Sequence, residues 1–84
     1  MSTPATLKED LRALIAEIIE KDADAVGDDV LLSDLGVDSM QAIEIISDIE
    51  RRYQLKIAES EFKNISTLTS VHRFVEEKLA ARTG

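Results

Sequence analysis

Cysteine is absent from this 84-residue chain, so neither disulfides nor a thiolate metal site can staple it. A single histidine, His72, leaves no basis for a histidine-rich metal centre. Tryptophan is missing too, and Tyr53, Phe62 and Phe74 are the only aromatic residues, so the core must be built largely from aliphatic side chains. With one proline and three glycines there is no glycine-rich phosphate loop. No apolar run approaches the roughly 20 residues that span a bilayer, and Met1-Ser2-Thr3-Pro4 lacks the basic region and apolar core of a signal peptide. Positive charge is scarce: ten Lys and Arg stand against 17 Asp and Glu, a net charge of −7. Nucleic-acid phosphates would repel such a surface, whereas basic protein partners would be drawn to it. The expectation is one small domain, residues 1–84, monomeric and cytoplasmic.

What is present is helical periodicity. Leu7, Leu11, Leu14, Ile15 and Ile18 predict a first helix from Leu7 to about Lys21, behind a start signal at Thr3-Pro4. The stretch from Asp22 to Val37 carries Gly27, Gly36 and several aspartates, but also Val26, Val30, Leu31, Leu32 and Leu35. So many apolar residues predict an ordered loop packed on the bundle, with a short helical turn around Leu32 to Leu35. A second helix is expected from about Ser39 to Tyr53, with Asp38 as N-cap, Gln41 at the third position, and Arg51 and Arg52 complementing its negative end. A brief turn near Glu59 to Lys63 follows, anchored by Ile57, Phe62 and Ile65. Ser66 or Thr67 then caps a last helix from about Leu68 to Ala80, with Leu68, Val71, Phe74, Val75 and Leu79 inward. Residues 1–4 and 82–84 read as frayed ends. The fold class is all-α: a four-helix bundle of three main helices and one short helix, with a long loop between helices one and two.

Placed on a wheel at about 100° per residue, the second helix puts Ala42, Ile43, Ile45, Ile46, Ile49 and Tyr53 on one core-facing arc. Gln41, Glu44, Ser47, Asp48, Arg51 and Arg52 fall opposite, and Met40 joins them on the solvent side. A flexible thioether there suits contact with several partners, although a lone exposed apolar residue is also ordinary. Ser39, by position alone, is an ordinary first-turn serine. The location is nonetheless suited to a phosphate-linked group, because a helix N-terminus presents unpaired N–H groups and partial positive charge. Asp22, Asp24, Asp28 and Asp29 lack the spacing and terminal glutamate of a calcium loop. His72 falls on the exposed part of the last helix with no triad around it. No nucleophile–base pair and no metal site is visible, so the chain does not read as an enzyme.

The run Leu35-Gly36-Val37-Asp38-Ser39-Met40 resembles the (L)G-x-D-S-[LM] signature of acyl carrier proteins of the stand-alone bacterial type. The likeness extends to the amphipathic helix behind it, to Tyr53 closing that helix, to the Ile57–Phe62 turn and to the last helix. It implies that Ser39 bears a 4′-phosphopantetheine arm moved from coenzyme A by a phosphopantetheinyl transferase, with Asp38 recognised by that enzyme. The arm ends in a thiol that carries acyl groups as thioesters. Met40, Glu44, Asp48 and Glu50 would face partners with basic docking patches: ketosynthases, acyltransferases or other acyl-processing enzymes of fatty-acid or polyketide-type biosynthesis. Gln41, Arg51-Arg52 and Ala58 depart from the housekeeping fatty-acid pattern, so a stand-alone carrier of a polyketide or other specialised acyl pathway is a comparably good reading. An aminoacyl, peptidyl or D-alanyl carrier, or an unmodified acidic helical adaptor, stands as the alternative. Whether the isoleucine-rich interior shelters the cargo is a further expectation to be tested.

Overall fold

The computed structural model describes residues 4–58, 60–61 and 65–82. Helix α1 spans Pro4–Ile19, α2 Ser39–Tyr53 and α3 Leu68–Arg82, with 3₁₀ turns at Ala23–Ala25 and Leu32–Leu35. α1 packs against both α2 and α3. The expected turn near Glu59 to Lys63 falls largely outside the described residues, as does its anchor Phe62. Helix begins at Pro4 and runs to Arg82.

Each helix boundary has a local cause. Pro4 opens α1, where a missing N–H costs nothing. α1 stops two residues short of the expected end because Glu20 takes a left-handed conformation (φ 58°) and the amide of Lys21 turns back to Ala16 O at 3.0 Å. α2 keeps its expected bounds: the Asp38 carboxylate accepts the Gln41 amide at 2.9 Å, Arg51 and Arg52 lie in the last turn, and Gln54 closes it in the left-handed region. α3 is capped by Thr67. Its Oγ1 accepts the Ser70 amide at 3.2 Å while Ser70 Oγ accepts the Thr67 amide at 2.9 Å, a reciprocal capping box with serine at the third position.

The core is aliphatic. Leu7, Leu11, Leu14 and Ile15 from α1 meet Ile45, Ile46 and Ile49 from α2 and Leu68, Val71 and Val75 from α3, with Val26 and Leu32 contributed by the long loop. Burying each such side chain favours folding by about 1.5–3 kcal/mol before entropy is charged against it. Two expectations fail here. Ile43, expected in the core, is 50% exposed. It lies at the edge of the apolar arc, one turn after Met40, and the contact stripe is narrower than that arc. His72, expected on the surface, is only 17% exposed, with Nε2 3.8 Å from Glu76 Oε2. It follows Leu68 by one turn on the face that turns inward.

The long loop is fastened at both sides. Arg12 Nη2 and Lys8 Nζ reach Asp28 at 2.6 and 2.7 Å, and Arg12 Nη1 also donates to Val26 O. The Lys8 and Arg12 hydrogen bonds hold the Asp28 carboxyl below its ordinary range, and Glu9 and Asp28 raise the Arg12 guanidinium. From the other side, Thr69 donates its amide and hydroxyl to Asp28 O at 3.1 and 3.0 Å. Leu31 forms an isolated antiparallel bridge with Thr67, and the Leu32 amide donates to Ser66 O at 2.9 Å.

Candidate carrier site

Between that fastened loop and α2 the chain must reverse sharply, and Gly36 does so. Its φ of +89° is left-handed, and nothing lies within 4 Å of where a Cβ would stand, so glycine is needed for its conformation rather than for space. Its amide donates to Ser33 O at 3.1 Å, closing the second 3₁₀ turn. Val37 then leads into the cap at Asp38.

The reversal leaves Ser39 as the first residue of α2, exposed to solvent, next to an exposed Asp38 whose carboxylate fixes the helix start. Ser39 borders a cavity of about 300 Å³ whose walls include buried Leu32 and Ile45 and partly buried Val37, Ala42 and Ile65. The nucleophilic oxygen type, the positive end of a helix and an apolar recess therefore meet at one place. These groups fit a phosphate-linked arm: the N–H groups of the α2 terminus would suit its phosphate, and the recess would offer it apolar surface. Two other cavities, one beside Arg73 and Phe74 and one beside Glu50 and Lys78, are not bordered by Ser39.

The remaining site residues divide. Met40 is 73% exposed and, with Ile43 one turn on, forms an apolar strip beside Ser39. Glu44 is exposed on the same helix surface. Asp48 lies further along, its Oδ1 3.2 Å from Arg51 Nη2. Glu50 turns aside: its Oε2 accepts the Ile57 amide at 2.9 Å and pins the segment after α2. Beyond it Glu61 pairs with Lys78 and accepts the Ala58 amide, and these two, Lys78 first, hold its carboxyl below the ordinary range. The apolar arc of the helical wheel places Ile43 inward, and its spacing of three from Met40 is the sequence signal for this strip. Among the described residues no group of three acidic or histidine side chains is arranged to hold a metal ion, and no helix is long and apolar enough to cross a membrane.

Comparison with known proteins agrees with this arrangement. The family described as phosphopantetheine attachment site matches residues 9–75. Polyketide-8 synthase acyl carrier protein 2 of Streptomyces avermitilis is 37% identical over 79 residues, 93% of this chain and 91% of that protein. The anthracycline acyl carrier protein DauA of a Streptomyces species is 41% identical over 78 residues, 92% and 90% of the two chains. In three dimensions the chain is similar to the crystal structure of an acyl carrier protein from Thermotoga maritima, with a TM-score of 0.79 over 93% of this chain and 92% of that one. At 23% identity that likeness speaks for the all-α fold alone. The chain belongs to the acyl carrier protein family, a carrier that works through 4′-phosphopantetheine and acyl-processing partners rather than a catalyst.

Proposed function

We propose that Ser39 bears the phosphopantetheine arm and that the chain carries intermediates of a polyketide-type pathway in the cytoplasm. The observation that supports the attachment most directly is the position of Ser39: exposed, first in α2, and on the border of an apolar cavity. When bound, the arm supplies a thiol that holds acyl groups as thioesters. The chain's own residues do the rest. Asp38 sets the helix start and so the direction of Ser39, and it is the residue we assign to recognition by the phosphopantetheinyl transferase. Leu32, Val37 and Ile45 offer apolar surface to whatever the arm lays against them.

The pathway assignment rests on two supports. The relatives named for polyketide and anthracycline synthesis reach 37% and 41% identity, against 29% and 31% for two named simply as acyl carrier proteins. Gln41, Arg51 and Arg52 make the outer surface of α2 less acidic than a uniformly acidic recognition helix. For docking of ketosynthases, acyltransferases and similar enzymes we assign Met40 and Ile43 as the apolar contact and Glu44 and Asp48 as the charges. Glu50, also expected on that surface, has its carboxylate committed to the Ile57 amide, and we assign it an architectural role instead. Exposed charges mainly speed encounter and select partners, which suits a protein that must dock and leave repeatedly.

The test is intact-mass measurement of the apo chain after incubation with coenzyme A and a broad-specificity phosphopantetheinyl transferase. The expected result is a gain of one phosphopantetheine by the wild type and none by Ser39→Ala. A gain in both would move the attachment elsewhere; a gain in neither would leave an acidic adaptor.

A further inference from the structure

Four large apolar side chains are exposed among the described residues: Val30, Leu31, Met40 and Ile43. Two belong to the α2 strip already assigned to docking. The other two lie on the long loop, where Leu31 is 45% exposed directly beside Leu32 at 4%. The backbone there is fastened both to the segment before α3 and within its own turn. Leu31 bridges to Thr67, its carbonyl accepts the Asp34 amide at 3.0 Å, and the next amide donates to Ser66 O at 2.9 Å. The Leu31 side chain is thus held out on a rigid frame, without a covering partner for much of its surface.

Its location gives the exposure meaning. Leu31 and Ser39 line the same cavity. Apolar side chains therefore stand on both sides of the serine, Met40 and Ile43 along α2 and Leu31 across the recess. The surrounding charge has one sign. From Asp22 to Glu50 the chain has no Lys, Arg or His, and Asp29 and Asp34 on the loop are exposed as Asp38 and Glu44 are on the helix.

We propose that Leu31, flanked by Val30, is the second half of the surface gripped by the phosphopantetheinyl transferase, which meets it with an apolar cleft bordered by Lys or Arg. This rests on Ser39 being the attachment residue. The occupant follows from where the reaction happens. Ser39 Oγ must form its bond to the pantetheine-side phosphorus of coenzyme A as the bond from that phosphorus to the 3′,5′-ADP oxygen breaks, with the hydroxyl proton leaving to a base of the transferase. The transferase must therefore close over Ser39 itself and both walls beside it. Paired apolar contacts across a recess also fix orientation, which a one-sided strip does less well.

The experiment measures the initial rate of mass gain against carrier concentration, with coenzyme A and transferase, for wild type, Leu31→Ser and Leu31→Met. Binding of each apo chain to the transferase without coenzyme A, and the melting temperature of each, are measured alongside. The expected result is a roughly tenfold rise in KM and in the dissociation constant for Leu31→Ser, equivalent to about 1.4 kcal/mol. Its kcat should stay within about twofold, and Leu31→Met should behave as wild type. Unchanged KM and binding in Leu31→Ser overturn the proposal. So does a loss confined to kcat with a lowered melting temperature, which would give Leu31 a structural role. So, too, does a concentration-dependent dimer of the wild type that Leu31→Ser abolishes, since the patch would then be a contact between copies. A wild type that gains no mass defeats the carrier reading itself, and is distinguished from the other outcomes by that alone.

Discussion

Asp28 Oδ1 lies 2.6 Å from Arg12 Nη2, and the carbonyl of the same aspartate accepts both the amide and the hydroxyl of Thr69. One residue thereby joins α1, the long loop and the start of α3. Because Lys8 and then Arg12 depress the Asp28 carboxyl, its stabilising contribution is complete above the ordinary carboxylate range. It is lost as pH falls through the lower, folded value. Asp28→Asn should melt at a lower temperature than wild type at pH 7, and the gap should close below about pH 4, near the unfolded carboxyl. Melting curves from pH 7 to 3 on both chains check this; a gap that stays constant into acid would detach the effect from the carboxylate.

Loss of the α3 cap should be measurable by itself. Thr67→Ala removes the oxygen that accepts the Ser70 amide and should cost about 1 kcal/mol. A domain of this size then loses roughly 4–8 °C in melting temperature. Thr67→Ser, which keeps the acceptor, should recover most of the difference in the same thermal scan.

Gly36 offers a test of the turn that precedes Ser39. An alanine there has room but must hold a left-handed conformation, at a cost of roughly 1–2 kcal/mol. Gly36→Asn should be milder, since asparagine tolerates that region better. Chemical denaturation ranks the three, and equal midpoints for Gly36→Ala and wild type would show that the turn relaxes.

Glu44 and Glu50 should separate docking from architecture. Glu44→Lys is expected to slow acyl transfer by partner enzymes several-fold at low salt, with the difference shrinking as salt screens the surface, while stability changes by about 0.5 kcal/mol or less. Glu50→Ala leaves the part-buried Ile57 amide without its carboxylate and should destabilise the domain by about 1–3 kcal/mol, with Glu50→Gln closer to wild type. Partner kinetics read against urea midpoints distinguish the two roles; equal loss of stability in Glu44→Lys and Glu50→Ala would refute the division.

The parts of the fold that were legible in the sequence are those with local causes. Asp38, the arginine pair and an apolar stripe bracketed α2 to the residue, and Ser66-Thr67 marked the start of α3. The end of α1 was overshot because Glu20, a residue with no turn signal, takes the left-handed conformation. The 3₁₀ turn at Ala23–Ala25 buries no side chain and so left no periodic trace. Ile43 and Leu31 were read as packed because composition does not say how wide a contact stripe is, or which loop side chain the tertiary bridge turns outward. Glu50 looked like one more surface charge, since its partner is a backbone amide seven residues on, which no side-chain pattern reveals.

The junction at Asp28 also has a bearing on the order of assembly. Its bonds to Lys8 and Thr69 close stretches of 20 and 41 residues, whereas the cap on α2 spans only three. Long closures carry the larger entropic penalty and favour late formation. The loop leading to Ser39 hangs from that junction, so its shape belongs to the finished domain and not to the motif alone. A peptide covering residues 35–41 would hold every letter of the signature and none of its presentation.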